Sequence, residues 1–316
     1  MSSAIAVQEL AAGKTIAQRN PVPLGYKRRT MYFPLSRLYG MAVGLAQSGK
    51  TTLFHSHPGA FIFNLDGSST PSCDATVWPG VDSKGNLCEP ADPSDPGAYE
   101  DPALGPCRSV TLDYETVLKK YQQVLDLPLD QRPETIVMDS MTTLRNMLKS
   151  HVLKNYPDKE TWRDLGQNGW TELNEILSTL HLPARAQGLG FWWTCHIINT
   201  VVDLSGLGNT VIPELSVTRN FWSNHMHPNL EMVAPLFVEI EETTTKTPRM
   251  KEVNGRQVKT GDDVVVTKVR KGYIDFNHRQ MAGIAKGRRV EGRIELPLDA
   301  GWTALEAVYK KAWGQA

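Results

Sequence analysis

A glycine-rich stretch decides the fold of this chain: Gly44-Leu45-Ala46-Gln47-Ser48-Gly49-Lys50-Thr51, followed by Thr52. The stretch matches the pattern G-x-x-x-x-G-K-[ST], directly after an apolar run and directly before a possible helix. In such a loop successive backbone N–H groups point at phosphate oxygens, and the lysine reaches the β- and γ-phosphates. The threonine hydroxyl is the expected ligand of Mg²⁺. Residues 44–52 are therefore predicted to bind a nucleotide, with a flexible glycine turn as the alternative.

A phosphate loop of this kind works with a carboxylate on another strand, whose carboxyl end lies beside the loop. Asp139 fits that description because it closes the β-compatible run Thr135-Ile136-Val137-Met138. Together with Thr51, Asp139 is predicted to hold the Mg²⁺ ion. The alternative is an aspartate that caps the following helix, which is common at a strand-to-helix turn.

The composition of the 316-residue chain is that of a folded protein, with 34 basic and 34 acidic residues and 41% hydrophobic content. No apolar stretch approaches the roughly 20 residues needed to cross a bilayer. The first ten residues also lack a basic region followed by a hydrophobic core, as a secretion signal would have. We therefore expect a cytoplasmic protein with no membrane partner.

Short β-rich runs alternate with helical patterns, an order that requires crossover connections and a parallel sheet. Central strands are predicted where the runs are mostly apolar, at 39–43, 60–66, 135–139, 190–197 and 233–241. Helices are predicted from apolar stripes at 114–125, 144–152, 173–180 and 304–313. Two later runs, 264–266 and 273–276, are typical of antiparallel edge strands. The predicted fold class is α/β, with a mostly parallel central sheet flanked by helices and antiparallel edge strands on its C-terminal side.

Composition divides the chain into an N-terminal arm (residues 1–36), a core (37–278) and a basic C-terminal segment with a helix (279–316). Within the core, residues 68–107 carry seven acidic residues against Lys84 alone and are dense in Pro, Gly and Ser. Such a segment supplies turns but little apolar surface, so it is predicted to be an inserted surface loop.

The chain resembles the RecA-like P-loop ATPases of the RecA/RadA superfamily. It is most similar to the short phage-encoded members that act in single-strand annealing and recombination. Besides the phosphate loop and the Asp139 strand, the resemblance is carried by Trp192-Trp193-Thr194-Cys195-His196 and by Lys268-Val269-Arg270-Lys271-Gly272. The family's fourth core strand ends in a polar residue that senses the γ-phosphate, which implies that role for His196. The family's Lys-x-Arg-x-Gly finger reaches a neighbouring subunit's ATP site, which implies that role for Lys268 and Arg270.

Each of these two assignments has a structural alternative. His196 at a strand end can donate to a phosphate oxygen, or it can be a buried histidine bonded to backbone. Lys268 and Arg270 lie two apart, so they share one face of a strand and suit the charge of a transferring phosphoryl group. A solvated basic edge strand explains the same pair. A finger of no use within its own subunit implies a homo-oligomer assembled head to tail, as a ring or filament.

The position of one catalytic group departs from the family. RecA has a water-positioning glutamate shortly after the second strand, and this chain has Ser68 there. Asp66 is the nearest substitute, although it can equally cap the turn, and the acidic insert offers Glu89, Glu100 or Asp101. Slow or partner-stimulated hydrolysis is the expectation, because a missing general base removes part of a term that is typically 10²–10⁴ in rate.

RecA-like proteins bind single-stranded DNA through loops that correspond to residues 156–169 and 199–215. In the first, Trp162 and Arg163 suit base stacking with a phosphate contact, although Trp162 can also pack beneath the loop. The second, with Gly206, Gly208 and Asn209, is expected to be flexible. Further basic residues are candidates for a groove along a nucleic-acid backbone, or for a solvated face: Lys286, Arg288 and Arg289.

Three cysteines, Cys73, Cys88 and Cys107, share the acidic insert. Thiolates ordered by zinc are one interpretation, but spacings of fourteen and eighteen intervening residues match no compact zinc motif, so reduced thiols are favoured.

The leading hypothesis is an ATP-binding, Mg²⁺-dependent ATPase that acts on single-stranded DNA in phage recombination or replication, alongside recombination or replication proteins. A second hypothesis is a module that ATP locks onto DNA or protein with little hydrolysis. A third is a phosphate-loop kinase for a small molecule, with the basic residues 243–293 as its lid.

Overall fold

The computed structural model describes residues 32–68, 73–204, 208–215, 221–253, 256–281, 284–297 and 299–315. Residues 34–316 group into one unit by their contacts. The predicted N-terminal arm lies almost entirely outside the described residues.

Two sheets are built from thirteen strands in the described part of the chain. In chain order these are β1 (Tyr39–Gly44), β2 (Ala60–Asn64), β3 (Thr76–Trp78), β4 (Gly80–Val81), β5 (Leu87–Pro90), β6 (Tyr99–Asp101), β7 (Gly105–Ser109), β8 (Thr135–Asp139), β9 (Gly190–Leu204), β10 (Gly208–Leu215), β11 (Met232–Val253), β12 (Arg256–Asp275) and β13 (Arg293–Leu296). The helices are α1 (Lys50–His55), α2 (Tyr114–Leu125), α3 (Met141–Lys154), α4 (Gly166–Thr179), α5 (Leu182–Ala186) and α6 (Gly301–Ala312).

The main sheet has the strand order β13-β12-β11-β1-β9-β8-β2-β3, with β10 paired to β9. Neighbouring strands from β11 to β3 run parallel, whereas β12 is antiparallel to both β11 and β13. The predicted α/β class, with a mostly parallel sheet and antiparallel strands at its C-terminal edge, is confirmed. β1 and β8 are buried along their whole length, as strands covered on both faces should be.

The alternation of side chains along β9 separates two packed layers. Trp193 joins a core cluster with Val117 of α2, Leu148 of α3 and Leu177 of α4. Its neighbour Trp192 points the other way, where its ring lies 5.5 Å from Phe54 of α1 and 5.7 Å from Trp302 of α6. Because successive residues of a strand face opposite sides of the sheet, the two tryptophans anchor helices on both faces.

Helices form at each predicted apolar stripe, although α4 begins at Gly166, seven residues before its predicted start. Asp113 caps α2 through a 2.8 Å hydrogen bond from the Thr116 N–H to its carboxylate. The final helix begins at Gly301, three residues before its predicted start, and a short 3₁₀ turn at Trp162–Leu165 precedes α4. Among the described residues, none of the helices combines the length and apolar character that crossing a bilayer would require.

The acidic insert is not a loop, contrary to the sequence prediction. β4, β5, β7 and β6 form a four-stranded antiparallel sheet, and β3 extends the main sheet. Buried carboxylates replace a large apolar core: Asp82 accepts hydrogen bonds from the N–H groups of Lys84 and Asn86, and Asp101 from that of Ser83. These hydrogen bonds from backbone N–H groups to charged carboxylates order the polar turns. Composition alone predicts such turns to be unstructured.

Two long antiparallel ribbons extend the C-terminal half of the sheet. β9 and β10 pair from Ile197 and Leu215 to Leu204 and Gly208, so the segment expected to be a flexible loop forms a hairpin. β11 and β12 pair from Leu236 and Ile274 to Val253 and Arg256. The separate short strands expected at 264–266 and 273–276 belong to one continuous strand, because β12 pairs with β11 without a break from Gly261 to Ile274.

Candidate functional site

The glycine-rich loop connects the end of β1 to the start of α1. Gln47 and Gly49 adopt positive φ values of 62° and 87°. A Cβ atom on Gly44 would lie 2.2 Å from Ser48 Oγ and 2.7 Å from the Leu236 carbonyl oxygen. The loop therefore folds tightly back on itself, and this close approach requires glycine at position 44. Backbone turns of this type form concave surfaces that bind anions.

Lys50 is held inside this turn, with only 5% of the residue exposed. Its Nζ donates to the carbonyl oxygens of Gly44, at 3.1 Å, and of Leu45, at 2.7 Å. Burial lowers the pKa of Lys50, and the carboxylate of Asp139 opposes that shift. An ammonium group fixed at the mouth of the loop is thus prepared for an anionic ligand.

Asp139 lies beside the loop, as the sequence predicts, because β8 is separated from β1 only by β9. Thr51 Oγ1 donates a 2.5 Å hydrogen bond to Asp139 Oδ2, and Thr194 Oγ1 on β9 donates to Asp139 Oδ1. Burial raises the pKa of Asp139, against the two threonine hydrogen bonds. The alternative in which Asp139 caps the next helix is wrong, since Ser140 is the N-cap of α3 and accepts from the Thr143 N–H.

The Thr51 hydroxyl and the Asp139 carboxylate fit Mg²⁺, which takes oxygen ligands and commonly only one or two protein groups beside phosphate oxygens and water. Within the described ranges no cluster of three or more His, Cys, Asp or Glu side chains is arranged to hold a metal. The metal role of the pair stays a prediction.

Asp66 follows β2 at the same end of the sheet. It pairs with His196 of β9, which lies directly before the part of β9 that pairs with β10. His196 Nε2 lies 3.5 Å from Asp66 Oδ2. Ser140 Oγ donates to Asp66 Oδ1 at 3.0 Å, and Thr143 Oγ1 donates to the same oxygen. Burial on its own would raise the pKa of Asp66, but the hydrogen bonds from His196, Thr143 and Ser140 outweigh it and lower the pKa. Asp66 is thus held as an ionised, oriented carboxylate.

A cavity of about 450 Å³ joins these groups. The predicted site residues that line it are Gln47, Ser48, Gly49, Lys50, Thr51, Thr52, Asp66, Asp139, His196 and Arg270. Leu53 and Ser68 line it as well. Gly44, Leu45 and Ala46 shape the loop but do not line the cavity. The far wall was not predicted, and it comes from the end of the chain and the base of the ribbon: Val238, Gly272, Leu296, Pro297 and Gly301.

The predicted finger residues separate in the structure. Both lie on one face of β12, as expected, because Lys268 and Arg270 stand opposite Glu242 and Ile240 of β11. Lys268 is outside the cavity and forms a 2.6 Å ion pair with Glu242. Arg270 lines the cavity of its own chain. The position of Arg270 therefore does not require a neighbouring subunit, and the finger role and head-to-tail assembly stay predictions.

Trp162 takes the packing role rather than that of a free stacking surface. It is part-buried against the core, and its ring meets Trp170 edge to face at 5.2 Å. Arg145 and Lys149 of α3 lie over the Trp170 ring, 4.9 Å and 5.5 Å from its centroid. Arg163 stays exposed beside this cluster.

The three basic residues near the C-terminus are engaged with this chain's own groups. Lys286 Nζ donates to the Leu230 carbonyl oxygen, Arg288 pairs with Glu231, and Arg289 lies 4.1 Å from the Trp313 ring centroid. These contacts tie the C-terminal segment to the body, with Arg289 exposed, and a role of the three residues in a nucleic-acid groove stays a prediction.

The carboxylates of the insert do not reach the cavity. Glu89 binds Arg108, Lys120 and the Trp78 indole. Asp101 accepts hydrogen bonds from Ser83 and from the N–H groups of Ala103 and Leu104, and Glu100 is exposed. All four cysteines are free thiols. Cys88 and Cys107 are buried on adjacent strands, whereas Cys73 lies before β3, where its Sγ donates to the Ala75 carbonyl oxygen.

Comparison with protein-family models found no match for this sequence, and no curated protein matches it either. The functional conclusion therefore depends on the site.

Sequence reasoning missed Thr194, Ser140 and Thr143 as parts of the site. A signal for Thr194 was present: in Thr194-Cys195-His196 the period of a strand places Thr194 on the same face as His196. The spacing Ser140-x-x-Thr143 at a helix start likewise indicates a polar cap facing the strand ends.

Proposed function

We propose that this protein binds ATP with Mg²⁺ and hydrolyses it. One observation carries the proposal: the Lys50 ammonium, the Thr51 hydroxyl and the Asp139 carboxylate line the same cavity, with Thr51 bonded directly to Asp139. A lysine inside a tight glycine turn next to a hydroxyl–carboxylate pair is the arrangement that nucleoside triphosphates with Mg²⁺ require.

In this proposal the residues divide the work as follows. The N–H groups of the turn and Lys50 bind the β- and γ-phosphates, and Thr51 and Asp139 hold the metal. A Mg²⁺ ion held there would supply positive charge against the negative charge of the phosphates. Thr194 keeps Asp139 oriented through its hydrogen bond to Oδ1.

Asp66 is the proposed group that positions and deprotonates the attacking water. It would replace the glutamate of RecA, because this chain has Ser68 at that position. Its anchoring by Ser140, Thr143 and His196 supports this role, because a general base must be ionised and held in a fixed orientation. His196 contacts the same carboxylate from the cavity wall, so it is suited to report loss of the γ-phosphate through Asp66.

We also propose single-stranded DNA as the partner that acts on turnover, in a RecA-like protein of phage recombination or replication. The supporting feature is α3, which links the proposed ATP site to the cations around the Trp170 ring. Its N-cap Ser140 and its first-turn residue Thr143 donate to Asp66, and farther along the helix Arg145 and Lys149 lie over Trp170. Aromatic rings flanked by cations suit stacked bases with nearby phosphates.

The deciding experiment is titration of Mg²⁺–ATP into the wild type and Lys50→Ala, together with phosphate release with and without single-stranded DNA. Loss of ATP binding in Lys50→Ala is the expected result. The exposed insert residue Lys84 supplies the matched control, Lys84→Ala, which should behave as the wild type. Unchanged ATP affinity in Lys50→Ala would refute the proposal, and ATP binding without phosphate release would favour the ATP-locked module.

A further inference from the structure

Arg270 differs from the charged residues around it on the β11–β12 ribbon. Lys268 pairs with Glu242 at 2.6 Å, and Lys271 pairs with Glu241 at 2.8 Å. Arg293 on β13 pairs with Glu239 at 2.7 Å. Across the ladder from Arg270 stands Ile240, which is 58% exposed and offers no charge. Within the described residues, no carboxylate forms an ion pair with Arg270.

The ladder register establishes which face of the ribbon carries Arg270. Val238 of β11 stands opposite Gly272 of β12, and Ile240 stands opposite Arg270, so all four belong to one face of the ribbon. Val238, Gly272 and Arg270 line the cavity that holds Lys50. The face of the ribbon that carries Arg270 is therefore a wall of the site.

The negative charge of a bound triphosphate would favour a second cation in the cavity beside Lys50. Lys50 and Arg270 are the lysine and arginine among the described lining residues, against the carboxylates of Asp66 and Asp139. A triphosphate adds several negative charges at this place. A guanidinium matches phosphate oxygens with paired N–H donors, and such charged hydrogen bonds are among the stronger ones in proteins.

We propose that Arg270 binds the phosphates of the nucleotide held by its own chain, and that the β11–β12 ribbon thereby becomes fixed when nucleotide is bound. This inference rests on the proposed ATP site. A two-stranded ribbon is only marginally stable by itself, so one contact near its base has a large influence on its order. Arg270 lies at that base, two residues from the part of β12 that pairs with β13. Nucleotide binding is in this way transmitted to the ribbon within one subunit.

The first test compares the ATP affinity of Arg270→Ala, Arg270→Lys and Lys271→Ala over a wide range of protein concentrations. Lys271→Ala is the matched control, since it removes a cation from the adjacent position of β12, where Lys271 pairs with Glu241 outside the cavity. Arg270→Ala should bind a fluorescent ATP analogue about 10- to 100-fold more weakly at every protein concentration. Arg270→Lys should recover part of the loss, and Lys271→Ala should stay within about twofold of the wild type. Wild-type affinity in Arg270→Ala would overturn the proposal.

The second test separates action within a chain from action across an interface. Lys50→Ala and Arg270→Ala are mixed, and phosphate release is measured. If Arg270 acts on its own chain, each mixed site lacks one of the two cations and the mixture shows no more activity than the sum of its parts. If Arg270 acts on a neighbour, some interfaces in the mixture have both groups intact, and recovered activity overturns the proposal.

Amide hydrogen exchange gives a readout that does not depend on turnover. Saturating ATP analogue should slow exchange at residues 236–242 and 268–272 in the wild type and in Lys271→Ala, but not in Arg270→Ala. Equal protection in Arg270→Ala contradicts a role for Arg270 in fixing the ribbon. The outcomes also separate the two proposals. Retained ATP binding in Lys50→Ala would contradict the proposed ATP site itself. Loss of ATP binding in Lys50→Ala together with unchanged ATP binding in Arg270→Ala would contradict only the role of Arg270.

Discussion

The hydroxyl of Thr51 donates a 2.5 Å hydrogen bond to the carboxylate of Asp139, 88 positions later in the chain. The contact exists because β9 alone lies between β1 and β8, so the first turn of α1 and the end of β8 meet at the same edge of the sheet. Thr194 on the intervening strand donates to the other carboxylate oxygen. Helix α1 and the strands β8 and β9 thus contribute one group each to a site that local sequence presents as separate motifs.

Replacing Thr194 by Val should weaken Mg²⁺ binding without unfolding the protein. The substitution keeps the shape of the side chain but removes the hydrogen bond that orients Asp139, and groups of this kind typically contribute 10- to 100-fold to metal affinity. Mg²⁺ titration monitored through ATP affinity measures the loss. Thr135→Val is the matched control, because Thr135 is equally buried but bonds to the Ser36 carbonyl oxygen at the opposite end of β8. An equal loss in both variants would point to general destabilisation.

Asp66→Asn should separate binding from hydrolysis. The amide retains the size of the carboxylate and loses its basicity, so kcat should fall by about 10²–10⁴ while ATP affinity changes by a few fold at most. Single-turnover phosphate release measures the first quantity and equilibrium titration the second. Asp74→Asn, at an exposed position before β3, should match the wild type. Normal turnover in Asp66→Asn would remove Asp66 from the proposed mechanism.

Sequence reasoning succeeded where a pattern is local. The run ending at Asp139 and the loop around Lys50 can each be interpreted within ten residues, and the parallel order of apolar strands then requires their ends to converge. The assignments of Asp66 and His196 needed more, because only the fold brings Asp66 to both His196 and Ser140.

Other features depend on contacts that no local pattern encodes. The cavity is lined by Leu296, Pro297 and Gly301 because β13, after a long connection, pairs antiparallel with β12 at the edge of the sheet. In the insert, Asp82 and Asp101 use their carboxylates to satisfy backbone N–H groups, so a polar composition that predicts a loop instead supports a sheet. Composition describes how much surface a segment can bury, but it does not describe how its polar groups are paired.

Gly44→Ala should disrupt the phosphate loop itself. The added methyl group would lie 2.2 Å from Ser48 Oγ and 2.7 Å from the Leu236 carbonyl oxygen, which belongs to the backbone of β11 and cannot move aside cheaply. We expect a loss of ATP binding and a destabilisation of about 1–3 kcal/mol. Urea unfolding and ATP titration measure the two effects. Gly80→Ala is the control, since a methyl group there meets its nearest neighbours at 3.7 Å. A stable, ATP-binding Gly44→Ala protein would contradict the described loop geometry.

His181 should make the protein less stable in mild acid. Its ring stacks on Tyr39 at 3.9 Å, and burial, followed by the nearby charge of Arg185, lowers its pKa from 6.5 to about 4. Between these two pKa values the unfolded chain binds a proton that the folded protein does not, so stability falls as pH falls from 6.5 towards 4. Integrated from pH 7 to pH 5, the shift corresponds to a loss of about 2 kcal/mol.

The measurement is the free energy of unfolding by urea at pH 7 and pH 5 in the wild type and in His181→Phe, which keeps an aromatic ring against Tyr39. Other groups titrate in the same range, but they do so in both proteins, so the difference between the two pH dependences isolates His181. The wild type should lose about 2 kcal/mol more than the variant on acidification. Between pH 7.5 and pH 8.5 neither state of His181 takes up a proton, and the two proteins should change in parallel. Equal losses at pH 5 would mean that His181 titrates in the folded protein as it does in the unfolded chain.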